Sequence, residues 1–143
     1  MKKIYIKSFF FWFVLLVLAL INATIREAGY KPILEPYIGL WAHQISSLTG
    51  ILLFFIAIYF FLKRNNNYNK KDLIFMGIIW FVMTIAFETL MNVFMRNLNF
   101  KQVLQTYYFW QGEIWVFVLL SLLILPFVVD KILNKKINNS LNQ

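Results

Sequence analysis

A single carboxylate, Glu88, stands inside an apolar stretch of membrane-spanning length, FMGIIWFVMTIAFETLMNVFM, which runs from Phe75 to Met95. At 100° per residue, Thr84, Glu88 and Asn92 fall on one helical face. An ionised carboxylate at this depth costs about 3 kcal/mol on insertion scales, so it must be protonated, paired or hydrated. The stretch therefore predicts either a site that binds a proton or cation, or a tie to a cation on another helix.

Polar groups that could meet Glu88 occur at the corresponding end of the other apolar segments. Arg26 and His43 are the cations on other helices that could reach it. His43 could titrate near neutral pH, although a histidine that begins a helix is often an interfacial residue, and Arg26 with Glu27 could equally anchor the chain among headgroups. The candidate binding or proton-linked residues are Glu88, His43, Arg26, Glu27, Asn22, Gln44, Asn92, Thr84, Tyr107 and Glu113.

Catalysis has little support in the residue pattern. The chain has no cysteine and one histidine, which excludes thiolate chemistry, disulfides and a dense metal cluster. No serine lies in a nucleophile elbow, and no acidic motif has metal-ligand spacing. A Glu-His-Arg set could serve acid–base work on a lipid headgroup, but the spacing does not require it. We therefore expect no catalytic residue, no metal and no cofactor.

Composition is typical of an integral membrane protein. Of the 143 residues, 61% are hydrophobic and 14% are charged, whereas soluble domains have about 45–50% and about 25%. The net charge of +8 would suit nucleic acid, but the basic residues form short clusters between apolar segments, which membrane orientation explains better. The expected partners are the lipid bilayer and a second copy of the chain, and nucleic acid is not expected.

Four apolar segments are long enough to cross a bilayer, which takes about 20 residues. They predict one all-α domain over 1–143, a four-helix antiparallel bundle. We expect helices at about 8–25, 41–62, 73–95 and 112–130, a solvated loop at 63–72 and a polar tail at 131–143. The first segment also resembles a signal peptide with a cleavage site at Ala23. Its length, and Ile21 where a small residue is usual, favour retention.

The distribution of Lys and Arg predicts the orientation of these helices. Ten basic residues flank one side, at the N-terminus, at 63–71 and at 131–136, and four flank the other. Both termini are therefore expected on the cytoplasmic side of a bacterial inner membrane. The polar candidates then gather in the outer half of all four helices. The inner half is expected to be sealed by Leu, Ile, Val and Phe.

Several motifs resemble a group of small bacterial four-helix integral membrane proteins with no assigned activity. The motifs are INATIRE, PxIGLWAHQIS, WxxxTxAFE, TYxxxxGEIW and a late proline. The matching residues are Asn22, Arg26, Glu27, Pro36, Gly39, Ala42, His43, Gln44, Ser46, Trp80, Thr84, Phe87, Glu88, Tyr107, Gly112, Trp115 and Pro126. The resemblance implies a four-helix bundle with the first helix retained. Thr106 stands where an aspartate is usual and Glu113 where an arginine is usual, so an Asp–Arg pair at these two positions is absent here.

The function that the pattern favours is non-catalytic binding or transport of a small solute or ion at the outer-half site. The alternatives are an accessory protein that binds lipid or a partner at the outer leaflet and, less favoured, a membrane-embedded enzyme acting on an envelope lipid. Small multidrug transporters also have four helices and one membrane glutamate, in their first helix. Here the first acidic residue is Glu27, at the outer end of that helix, so the similarity is architectural only.

Overall fold

Residues 3–38, 41–95, 99 and 115–141 are described by the structure, a computed structural model. Within them the chain has no strand and is helical apart from residues 65–69 and Asn99. The elements are α1 (Lys3–Thr24), a π-helical segment (Ile25–Tyr30), α2 (Lys31–Ile38), α3 (Trp41–Arg64), α4 (Lys70–Met95) and α5 (Trp115–Leu141). Four helical spans, Lys3–Ile33, Gln44–Arg64, Lys70–Phe94 and Val116–Lys135, are long and apolar enough to cross a membrane. The prediction of an all-helical chain with four apolar helices of membrane-spanning length is thereby confirmed over the described residues.

Helix α1 begins at Lys3, earlier than the hydropathy of the sequence indicates. Its first turn is held by packing, because Ile4 is buried in the core and the Tyr5 ring lies 4.2 Å from the Phe75 ring. Mean hydropathy averaged over a window of sequence misses this first turn, because Lys3 and Lys7 lower the average and packing partners do not enter it.

Helix α5 continues to Leu141, through most of the segment predicted to be a polar tail. Asn134 donates a hydrogen bond to Asp130 one turn earlier, at 3.1 Å, and Leu133 packs against the core. These contacts support the helix past residue 130, where the sequence predicts its end. The predicted helical residues 112–114 lie outside the described part of the chain.

The helices pack around an aromatic centre. Helix α1 packs against α3 and α4, and α5 packs against the same two helices. Trp80 on α4 is completely buried, and its Nε1 donates to the Ser8 carbonyl of α1 at 2.9 Å. Its ring lies 5.5 Å from that of Phe11 and 6.0 Å from that of Phe61. One residue of α4 therefore fixes the relative position of three helices.

Gly77 allows α4 and α5 to approach closely beside a proline. A Cβ atom at Gly77 would lie 3.2 Å from the backbone of Leu123 and 3.3 Å from the Leu122 carbonyl oxygen. Pro126 stands inside α5 and has no N–H to donate to that Leu122 carbonyl four residues earlier. The α4 backbone thus approaches α5 where α5 lacks one of its own hydrogen bonds.

Buried side chains follow almost the whole of α3 and most of α5, but only part of α1 and α4. On α3 they extend from Ser46 to Leu62, and on α5 from Val118 to Val129. On α1 the last buried residue is Leu15, and on α4 it is Trp80. The described side chains that follow on these two helices are half-buried or exposed, which leaves the two halves of the bundle unequal.

Candidate functional site

The predicted site residues lie in the half of the bundle beyond Leu15 and Trp80, here called the Glu88 end. The half that contains the Asn65–Asn69 loop between α3 and α4 is called the Asp72 end. The π-helical segment carries Arg26 and Glu27, and Asn22 lies in the last turn of α1. Gln44 lies in α3, and Thr84, Glu88 and Asn92 lie in α4. Tyr107 and Glu113 lie outside the described residues, as does the side chain of His43, although its backbone belongs to α3.

Asn22 bridges α1 and α3. Its Nδ2 donates to the Ser46 carbonyl at 2.9 Å and to the Ser46 hydroxyl at 3.2 Å, and its Oδ1 accepts from Thr49 Oγ1 at 2.9 Å. Gly50 leaves room for this amide, because a Cβ there would lie 3.2 Å from Asn22 Nδ2. The side chain is engaged as a helix tie, and a role for it in binding stays a prediction.

Thr84 joins α4 to α1. Its hydroxyl accepts from Trp12 Nε1 at 3.0 Å and donates to the Trp80 carbonyl one turn earlier at 2.8 Å. The Thr84 hydroxyl proton thus makes a hydrogen bond within α4, and one lone pair of its oxygen accepts the hydrogen bond from α1. Like Asn22, Thr84 has a structural partner that the sequence pattern could not assign.

Arg26, Glu27 and Lys31 form a local charged group on the π-helical segment and the start of α2. Arg26 Nε lies 2.9 Å from Glu27 Oε1, and Lys31 Nζ lies 2.9 Å from Glu27 Oε2. The Glu27 side chain is half exposed, and exposed pairs of this kind contribute about 0–1 kcal/mol. This geometry suits an anchor at headgroup level, which is one of the two roles predicted for Arg26 and Glu27.

Glu88 is half-buried two turns beyond Trp80 on α4. The Trp80–Ser8 and Trp12–Thr84 hydrogen bonds each join residues 72 apart, which places Glu88 level with Leu16 of α1. Arg26 is ten residues after Leu16, about 15 Å further along the helix axis. Pairing of Glu88 with Arg26, or with the undescribed His43 side chain, stays a prediction.

The Asp72 end has a buried carboxylate at the last residue of the segment predicted to be a solvated loop. Asp72 is only 1% exposed, and its two carboxylate oxygens accept from Tyr5 Oη at 2.7 Å and from the Asn69 backbone N–H at 2.9 Å. Asn69 Oδ1 accepts in return from the Asp72 backbone N–H at 3.0 Å. The two side chains form a capping box at the start of α4. The spacing Asn-x-x-Asp was the available sequence signal for it.

Two further contacts tie the Asn65–Asn69 loop to other helices. Lys7 Nζ of α1 donates to Asn65 Oδ1 at 2.7 Å, and Tyr68 Oη donates to Asp130 Oδ1 of α5 at 3.0 Å. Burial, and then the hydrogen bond and charge of Asp130, raise the pKa of Tyr68 to about 12. The predicted solvated loop is thus half-buried in part, and it connects α1, α4 and α5.

The described residues give no indication of a metal centre, since no three of their His, Asp or Glu side chains converge in a way that could hold an ion. Comparison with protein-family models, curated proteins and solved structures finds no match to this chain. The motif resemblance implies a four-helix protein, and the four apolar helices are shown. Membership of a particular group stays a resemblance.

Proposed function

We propose that this chain is a multi-pass protein of the bacterial inner membrane, with four antiparallel helices and both termini in the cytoplasm. The Lys7–Asn65 and Tyr5–Asp72 hydrogen bonds support this arrangement, because they bring the start of α1, the end of α3 and the start of α4 to one end. The Lys and Arg clusters of the sequence concentrate at this same end, where the positive-inside rule expects the cytoplasm.

Within this proposal, the function is non-catalytic binding or transport of a small solute or ion at a polar site around Glu88. One observation carries it: burial on α1 and α4 stops at Leu15 and Trp80, and Glu88 stands half-buried just beyond that point. A carboxylate inside an apolar span is costly, and such residues face a bundle interior or a polar cavity. Asn92, one turn further, is also half-buried and extends the polar face.

An outer-leaflet accessory role, in binding lipid or a partner, is the second candidate. Helix α2 favours it, because Ile33 and Tyr37 are 66% and 85% exposed and lie four residues apart on one face. This helix packs on α3 and on the π-helical segment, so its apolar face is held outward at the end of the bundle. A lipid-modifying enzyme is less favoured, because Asn22 and Thr84 are engaged as helix ties.

The test compares Glu88→Gln with Glu27→Gln, a substitution of the same chemistry at a half-exposed carboxylate. Thermal stability of the purified protein in detergent is measured from acid to alkaline pH. For a binding carboxylate we expect Glu88→Gln to melt as high as the wild type or higher, with a flattened pH dependence, because functional residues are often held at a cost to stability. Glu27→Gln should change little at any pH.

A sharp loss of stability in Glu88→Gln at every pH would show instead that Glu88 is a structural tie, since breaking a buried pair leaves the other charge uncompensated. The accessory role is tested separately with Ile33→Ser/Tyr37→Ser. If α2 docks on lipid or a partner, less lipid or partner protein co-purifies with this variant, while Glu88-dependent stability is unchanged.

A further inference from the structure

Two cavities adjoin each other at the Asp72 end. The first is a polar pocket of about 560 Å³ between the start of α1, the Asn65–Asn69 loop and the start of α4. The second is a groove of about 510 Å³ between α1 and α3. Lys7, Arg64 and Asn65 line both cavities, so the polar pocket leads directly into the groove.

Positive charge dominates the polar pocket. Lys3, Lys7 and Arg64 line it, and the acidic lining residue is Asp72, whose carboxylate is buried and accepts from Tyr5 and from a backbone N–H. Lys7 donates one hydrogen bond to Asn65, and an ammonium group has three protons to donate. The pocket therefore offers an excess of cationic donors, the chemistry that recognises a phosphate group.

The groove is apolar beyond the shared residues. Ile6, Phe10, Phe11, Val14 and Phe61 line it. From Ile6 to Val14 it follows α1 for about 12 Å, most of the depth of one leaflet of a hydrocarbon core about 30 Å thick. Its outer wall is open, and a chain of methylene groups would fit its length and its chemistry.

We propose that the polar pocket and the groove together bind an anionic phospholipid from the leaflet at the Asp72 end. Its phosphate lies against Lys7 and Arg64, and one acyl chain lies in the groove between α1 and α3. Under the orientation proposed above, this is the cytoplasmic leaflet. The site is separate from the Glu88 end and does not depend on the function proposed there.

The charge requirement is tested with Arg64→Gln against Lys63→Gln, a neighbouring basic residue of α3 that lines neither cavity. Binding of phosphatidylglycerol and of phosphatidylcholine to the detergent-purified protein is measured by native mass spectrometry. We expect the wild type to bind phosphatidylglycerol in preference to phosphatidylcholine. Phosphatidylglycerol binding should be about fivefold weaker in Arg64→Gln and unchanged in Lys63→Gln. Equal binding of the two lipids, or equal loss in the two variants, would overturn the proposal.

The groove is tested with Val14→Phe against Val17→Phe, which adds the same bulk one turn further on an exposed face. We expect Val14→Phe to weaken phosphatidylglycerol binding and Val17→Phe to leave it unchanged. Glycerol phosphate, which has the headgroup chemistry without acyl chains, should compete poorly. If it competes as well as the lipid, or if both valine variants bind normally, the groove has no part in binding and the site is not a phospholipid site.

Discussion

Helix α4 carries two carboxylates in contrasting surroundings, and the difference separates the two ends of the bundle. Asp72 is almost completely buried in the first turn, where a backbone N–H and Tyr5 supply its hydrogen bonds. Glu88 is half-buried near the other end of the same helix. A helix start provides unpaired N–H donors and a favourable dipole, whereas the middle and later turns of a helix do not. The more buried carboxylate is therefore the one with the clearer structural role.

The two ends also differ in which helices their ties connect. At the Asp72 end, hydrogen bonds link α1 to α4 and to the Asn65–Asn69 loop, and that loop to α5. At the Glu88 end, Asn22 links α1 to α3 and Thr84 links α4 to α1, and the charged group around Glu27 is local. The described contacts thus fix the Asp72 end through several helices at once.

The largest expected difference between the ends is in core packing. Trp80→Ala should lower the free energy of unfolding by about 3 kcal/mol, because it leaves a cavity and removes the hydrogen bond to Ser8. Phe87→Ala, at a half-buried position beyond Trp80, should cost less than half as much. Equilibrium unfolding in detergent measures both changes. Equal losses would mean that the two ends are packed alike.

A smaller effect is expected from the capping box. Asp72→Ala should destabilise the protein by about 2 kcal/mol, since it removes the cap of α4 and leaves Tyr5 Oη without its acceptor. Tyr5→Phe removes the hydroxyl that donates to Asp72 but keeps the cap of α4, and it should cost about 1 kcal/mol. Thermal unfolding of both variants gives the comparison. If Asp72→Ala is as stable as the wild type, the buried carboxylate is not a structural cap.

The smallest effect is a pH dependence at Tyr68. Burial and Asp130 raise the pKa of Tyr68 to about 12 from its ordinary value of 10.0. Because the protonated phenol is the form that donates to Asp130, its stabilisation is complete below pH 10 and is lost as the pH rises towards 12. Tyr68→Phe should cost about 1 kcal/mol at neutral pH and should be less sensitive to pH over that alkaline range. Melting curves at a series of alkaline pH values would show an unchanged slope in the variant if Tyr68 were not the titrating group.

Among the site residues, the sequence predicted positions better than partners. The face shared by Thr84, Glu88 and Asn92 follows from helical periodicity, and all three lie on α4. The hydrogen bond from Trp12 to Thr84 depends on the register between α1 and α4, and helical periodicity gives no information on that register. For the same reason Asn22 could be placed at the end of a helix, but its bonds to Ser46 and Thr49 could not be foreseen.

The four apolar spans could be predicted from the sequence alone, because hydropathy and segment length are local properties of the chain. The hydrogen bonds of Tyr5 with Asp72 and of Tyr68 with Asp130 could not be predicted in this way, because they join residues 67 and 62 positions apart. In the sequence, each of these side chains has the pattern of an interfacial residue near a basic cluster. Their meeting depends on which helices are neighbours and how far each is shifted along its axis, and packing of the whole core sets both.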